Sequence, residues 1–150
     1  MKKMKQYQQL DCYGQEKAIN QLNKIFSGYT VTYTQHISDC GTVDIEMDIN
    51  GNYTYFIEVK DRWYDHNRFS TWYLEVDKYN ELIKRGGKAY YLNTFNDDWC
   101  VVWDLTNMDM SQIRTGKEYL WHSTVEKDYK LWKPVYYLPT EKAVYNSAFI

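Results

Sequence analysis

The chain is poor in residues that staple, interrupt or ligate: it holds 3 cysteines, 3 histidines and 2 prolines. Cys12, Cys40 and Cys100 stand far apart with no Cys-x-x-Cys. An odd, scattered set makes neither a disulfide framework nor a zinc site. His36, His66 and His122 show no paired ligand spacing, so all six residues read as structural or incidental. Only Pro134 and Pro139 interrupt the chain, and no repeat or low-complexity linker divides it, so its 150 residues fit one domain with one core. No apolar run is long enough to span a bilayer. The start, MKKMKQYQQLD, is basic and polar without an apolar h-region, unlike a secretory signal. A soluble, intracellular (cytoplasmic) protein is expected. Basic surplus is missing too, with a formal net charge of −2 and a pI near 5.9. Strong non-specific DNA binders usually carry such a surplus. Any nucleic-acid contact must therefore come from a local patch or a bound cation.

Aromatic residues are what the chain has in excess, at 18% with 16 Tyr and 6 Trp. Strands favour Tyr, Phe and Trp, so this reads first as a β-rich fold and second as a stacking surface for bases or sugars. Residues 11–26 read as a helix, with Ala18, Ile19, Leu22, Ile25 and Phe26 at helical spacing and Ser27-Gly28 ending it. Residues 29–36 alternate as a strand. A second helix is expected from about Thr71 to Arg85, capped by Ser70 or Thr71 and closed by Gly86-Gly87, with Trp72, Val76, Tyr79, Leu82 and Ile83 as its stripe. Residues 88–94 and 99–105 are dense apolar strands of the kind buried on both faces. A short helix is expected around Ser111, and strand-like pieces near 118–121 and 130–138. The order is α-β-β-β-α-β-β with a β-rich tail, which predicts an α/β fold with a mixed central sheet flanked by helices.

Between the first two elements and the second helix lies GTVDIEMDINGNYTYFIEVKDR, two alternating runs around a turn. Val43, Ile45, Met47 and Ile49 share one face of the first run, and Asp44, Glu46 and Asp48 the other. In the second run Tyr55, Ile57 and Val59 oppose Phe56, Glu58 and Lys60. Residues directly opposite across an antiparallel pair share a face, so loop length decides whether Asp44 meets Glu58. A three-residue loop Asn50-Gly51-Asn52 pairs Ile49 with Tyr53 and sets Asp44 opposite Glu58. A loop of Ile49-Asn50-Gly51 sets them diagonal. A two-residue Asn50-Gly51 turn sends Asp44 to the face of Ile57. Turn chemistry allows all three, and the odd loops also put both apolar sets on one side.

Should Asp44, Glu58 and Lys60 converge, the two carboxylates repel unless one protonates or a cation sits between them. Magnesium, or manganese in its place, suits such a pair: it takes one or two carboxylates and keeps several waters. A water on the metal is acidified, and a neighbouring lysine can orient it or steady a phosphate under attack, which implies phosphodiester hydrolysis. The competing reading is a cross-strand ion-pair cluster on a solvated face, worth a fraction of a kcal/mol per exposed pair. Glu-x-Lys alone is weak, arising by chance in roughly every second chain of this length, and Asp128-Tyr129-Lys130 repeats the pattern without a hairpin carboxylate.

The setting is more specific: helix, strand, Asp on a hairpin arm, Glu-x-Lys on the next strand, helix, strand. Over residues 11–105 it resembles the PD-(D/E)xK nuclease superfamily, the restriction-endonuclease-like and Holliday-junction-resolvase-like enzymes. Val43-Asp44 would be its Pro-Asp, with valine for proline, and Glu58-Val59-Lys60 its (D/E)xK. The resemblance implies a metal held by Asp44 and Glu58, a catalytic Lys60, and Glu16 in the first helix completing the site. Lys78 could match a helix residue seen in many members, but it reads first as a solvated helix charge. Residues from Thr106 have no counterpart in the common core. Implied for the chain are endonuclease action on DNA in repair, recombination or junction resolution, and homodimerisation to cut both strands, with the tail a candidate interface. The Tyr-, Lys- and Asn-rich composition suggests an AT-rich phage or bacterial genome, hence a host cytoplasm. The rival is a non-catalytic binding module of the same fold, contacting a protein or nucleic acid.

Other residues are less telling. Glu46 and Asp48 read as solvated edge residues. Arg62, His66 and Arg68 could reach a phosphate backbone and Trp63 or Tyr64 stack on a base, or all could cover the core. Lys84, Arg85 and Lys88 surround a helix C-terminus, where cations are favoured regardless of function.

Overall fold

The computed structural model describes residues 6–36, 43–122 and 128–148, with side chains from residue 13 onward. Cys40 and the side chain of Cys12 lie outside the described residues. A long first helix, α1 (Gln6–Ile25), begins five residues before the sequence pattern suggests. It leads into β1 (Val31–Gln35) and the hairpin β2 (Ile45–Ile49) and β3 (Tyr53–Asp61). Then come β4 (Thr71–Glu75), α2 (Val76–Ile83), β5 (Lys88–Thr94) and β6 (Trp99–Asp104). After a 3-10 turn at Met110–Gln112, where Asp109 accepts from the Ser111 amide, follow β7 (Thr115–Trp121), β8 (Lys130–Pro139) and β9 (Tyr145–Ala148).

Among the described residues the strands form a six-stranded sheet of order β1-β2-β3-β5-β6-β9 and a three-stranded sheet of order β4-β8-β7. The larger sheet is mixed, because β3 and β5 run parallel while its other neighbours are antiparallel. The result is the mixed α/β architecture that the element order implies.

Expecting one helix over residues 71–85 was an error in its first third. Thr71–Glu75 is a strand paired with β8 from Thr71↔Pro139 to Glu75↔Val135. Trp72 and Leu74 are buried while Thr71, Tyr73 and Glu75 are half-buried, a period of two. The bulky Trp-Tyr-Leu run fits either period, and tertiary pairing with the tail decides it. The helix therefore starts without a side-chain cap, at Glu75. Its end is as read: Gly86 takes φ +81, and a side chain on Gly87 would strike Phe56 and the Thr54 carbonyl on β3.

The main sheet separates two cores. On one face Ala18 and Leu22 of α1 meet Ile45, Met47, Ile49, Tyr55, Ile57, Leu92, Cys100 and Val102. Burial pushes the Cys100 thiol up to about 12, so it is an inert core residue. On the other face Ala89, Tyr91, Phe95, Val101 and Trp103 pack against Trp72, Leu74, Leu82 and Leu138, drawn from β4, α2 and β8. Tail and earlier segments are interleaved here: β8 pairs with β4, and β9 extends the main sheet beside β6.

Candidate active site

The β2–β3 hairpin has an odd loop. Its pairs run from Ile45↔Ile57 to Ile49↔Tyr53, leaving Asn50-Gly51-Asn52 as the turn. Asn50 and Gly51 both adopt positive φ, at 54° and 70°, and the Asn52 amide closes back on the Ile49 carbonyl at 3.1 Å. Asparagine and glycine are the residues that take this region at least cost. The Asn50 side chain also accepts from the Thr30 amide at 3.0 Å, fastening the turn to the chain entering β1.

With that register Asp44 stands across from Glu58, just beyond the last paired residues. There the chain bends, so Val43 does not continue the face of Ile45 as the alternation suggests. It joins the core on the opposite side, with Trp72 and Leu82. Asp44 turns toward β3, and its Oδ2 accepts from the Val59 amide at 2.8 Å. A carboxylate thus completes the β3 ladder where β2 has stopped.

Glu58 and Lys60 lie on the β3 face turned away from α1, beneath β4 and α2. Both side chains are half-buried there, where an ordinary surface ion pair would be open to solvent. Burial pushes the Glu58 carboxyl well above the usual range, the Asp44 charge adds to that push, and Lys78 and then Lys60 oppose it. Lys60 is lowered from its ordinary value by burial and then by Arg62, with Glu58, Glu75 and Asp44 working the other way. Acid and base are therefore each drawn toward neutrality, as functional sites tend to require.

Three residues around this cluster were weakly signalled or missed. Lys78, in the first turns of α2, is the strongest favourable charge on Glu58. Glu75, at the strand–helix junction, acts on both Glu58 and Lys60 and binds Lys133 of β8 at 3.0 Å. Reading residues 71–75 as helix hid it. Asn93 of β5 is paired with Lys60 and is fully buried (0% exposed). Its Oδ1 accepts from Arg62, and its Nδ2 has no hydrogen-bond partner among the described residues.

Arg62 proves to be a core residue, 6% exposed. It donates through Nε to Asn93 at 2.7 Å and through Nη2 to the Tyr73 carbonyl and the Tyr91 hydroxyl. It also lies over the rings of Trp72 and Tyr73. These contacts fix it against the floor of the site, away from any phosphate backbone outside. His66 stacks on Trp99 and bonds to Asp97, which orders the loop that exposes Trp63 and Tyr64. Arg68 stays exposed over Phe69. Glu16 is exposed on α1, and its charge is not among the leading influences on Glu58 or Lys60. Its neighbour Lys17 reaches Asp61 at the end of β3, at 2.8 Å. Among the described residues no set of three or more His, Cys, Asp or Glu side chains is grouped to hold a metal. A cation here would rest on two carboxylates and water.

No family model and no curated protein matches the chain. Its fold does match a solved structure. With a TM-score of 0.50 and 16% sequence identity, 91% of this chain and 92% of the other superpose on Archaeoglobus fulgidus Hjc, a Holliday junction resolvase from an archaeal hyperthermophile.

Proposed function

We propose that this chain is a Mg2+-dependent nuclease of the PD-(D/E)xK type, hydrolysing phosphodiester bonds of DNA in junction resolution, recombination or repair. The observation that supports it most is the pairing of Ile49 with Tyr53, which brings Asp44 beside Glu58-Val59-Lys60 in a fold shared with a junction resolvase. The donor set suits a hard divalent cation: two carboxylates, with water filling the remaining positions. Burial first, and then the Asp44 charge, raises Glu58, and a cation between the two carboxylates would relieve the second of these. Asp44 and Glu58 would hold the ion, which when bound supplies an acidified water and offsets charge on the attacked phosphate. Lys60, its proton loosened by burial, orients the nucleophile or takes its proton. Glu16 is the candidate for a further acid, and a homodimer would set two such sites on opposite strands.

Wild type and Lys60→Ala are compared on branched, single-stranded and duplex DNA with Mg2+. Cleavage by the wild type and a loss of roughly 10²–10⁴ in rate for Lys60→Ala are expected. No cleavage by either protein leaves a non-catalytic binding module of the same fold, and equal cleavage by both removes Lys60, and the PD-(D/E)xK assignment with it, from the chemistry.

A further inference from the structure

Strand β8 is long, and only part of it is covered. Its residues 135–139 pair with β4, whereas residues 130–134 pair with β7 alone. Beyond Val135 the hairpin is a two-stranded arm. Its register puts Lys117 opposite Pro134, Tyr119 opposite Trp132, and Trp121 opposite Lys130. By strand alternation these side chains share the face that Trp72, Leu74, Tyr136 and Leu138 turn into the core at the other end of the same sheet. Past the core's edge that face is open. Trp132 is 64% exposed, Tyr119 52% and Trp121 40%.

The face has a definite chemistry. The rings of Tyr119 and Trp132 lie 5.3 Å apart, and Lys130 Nζ stands 5.1 Å from the Trp121 ring and 5.8 Å from Tyr119. No carboxylate lies on it among the paired residues. Glu118 points to the opposite face and accepts from the Tyr137 hydroxyl, and Asp128 lies beyond the last pair. Aliphatic side chains are turned away as well, with Leu120 and Leu131 on the other side. On a chain of net charge −2, three adjacent aromatic rings interleaved with two lysines form a local basic stacking surface. A protein partner would be better served by aliphatic knobs. Unpaired bases on a phosphate backbone need flat rings and cations. The arm is also rooted at the candidate site, because Lys133 on its reverse face holds Glu75, whose charge acts on Glu58 and Lys60.

We propose that the open face of the β7–β8 arm binds single-stranded nucleic acid, stacking unpaired bases on Tyr119, Trp121 and Trp132 while Lys117 and Lys130 meet the phosphates. This deepens the nuclease reading and rests on it for the nature of the polymer. The site engages a strand that is opened or branched near the point of cleavage.

The test is a titration of a fluorescent oligo-dT by the full chain in EDTA, followed by anisotropy, so that no cleavage intrudes. Trp132→Ala and Trp121→Ala each weaken binding about tenfold, and Trp132→Phe restores most of it because the ring remains. Lys117→Gln with Lys130→Gln flattens the dependence of log affinity on log salt by about 1.4. All these positions are exposed, so thermal melting of the variants stays near wild type. Wild type that does not bind, or tryptophan variants that bind as tightly as wild type, overturn the proposal. Sedimentation velocity covers the other occupant: a wild-type dimer that Trp132→Ala dissociates, with oligo-dT binding unmoved, assigns the face to a second copy and also overturns it. None of these failures touches the nuclease reading, which stands or falls on Lys60→Ala with Mg2+.

Discussion

On the α1 side of β3, Tyr55 and Ile57 are buried against Ala18, Leu22 and the apolar residues of β2, β5 and β6. On the other side of the same strand, Glu58 and Lys60 are half-buried under β4 and α2, with Asp44 and Glu75 acting on both and Lys78 on Glu58. The first face releases water from apolar surface, and each buried side chain stabilises the fold by about 1.5–3 kcal/mol. The second does the reverse. It removes an acid and a base from water, a cost that mutual attraction seldom recovers in full. Stability alone gives no reason to set a carboxyl beside another carboxyl at the end of a hairpin. The contrast separates what makes the sheet from what the sheet carries.

Truncation on the two faces should therefore have opposite signs, and the larger effect lies on the apolar one. Ile57 is fully buried, so Ile57→Ala is expected to lower unfolding free energy by about 2–5 kcal/mol, depending on how far the cavity collapses. Urea denaturation measures it. A cost below about 1 kcal/mol would mean that the α1 core is not packed as described.

This division also explains how far the sequence could be read. The α1 face was legible because its pattern is redundant: a 3.6-residue stripe in α1 and alternation in β2 and β3 each point to it. The convergence of Asp44 and Glu58 was legible only as a conditional on loop length, since Asn-Gly-Asn suits more than one turn and pairing to β1 helps to fix it. Three features were not legible. Thr71–Glu75 owes its strand conformation to β8, some sixty residues later, which no local window contains. Val43 leaves its expected face because the ladder stops at Ile45. Arg62 was open between a phosphate contact and a core cover, and only the fold supplies Asn93, Tyr91 and the Tyr73 carbonyl that bury it.

On the polar face, Glu58→Gln is expected to stabilise the metal-free protein at neutral pH. The folded protein holds the Glu58 proton more tightly than the unfolded chain does. That contribution is complete below the ordinary glutamate range and is lost as pH rises through the raised folded value. The glutamine variant has no such loss, so its advantage in Tm should widen from pH 5 to pH 8 in EDTA. Lys60 runs the other way, with its share present above the ordinary lysine range and falling away as pH drops through its lowered folded value, and both proteins contain it. Adding Mg2+ then reverses the order. At a hundredfold excess over Kd the wild type gains about 2.7 kcal/mol, and Glu58→Gln gains far less. An advantage that does not change with pH removes the burial argument, and equal Mg2+ responses remove Glu58 as a ligand.

The smallest effect belongs to the turn that holds the two faces apart. Gly51 has φ +70, and nothing lies within 4 Å of where a Cβ would sit, so Gly51→Ala meets strain but no clash. The cost should be about 1–2 kcal/mol, a fall in Tm of a few degrees for a chain of this size. The face assignment should survive, because slipping β3 by one residue would drive Glu58 and Lys60 into the α1 core and expose Ile57. The apolar set thus fixes the register more firmly than the turn does, and the rise in Tm with Mg2+ should keep its wild-type size in Gly51→Ala. A variant that melts a few degrees lower and also loses its Mg2+ response would show instead that the loop alone keeps Asp44 opposite Glu58.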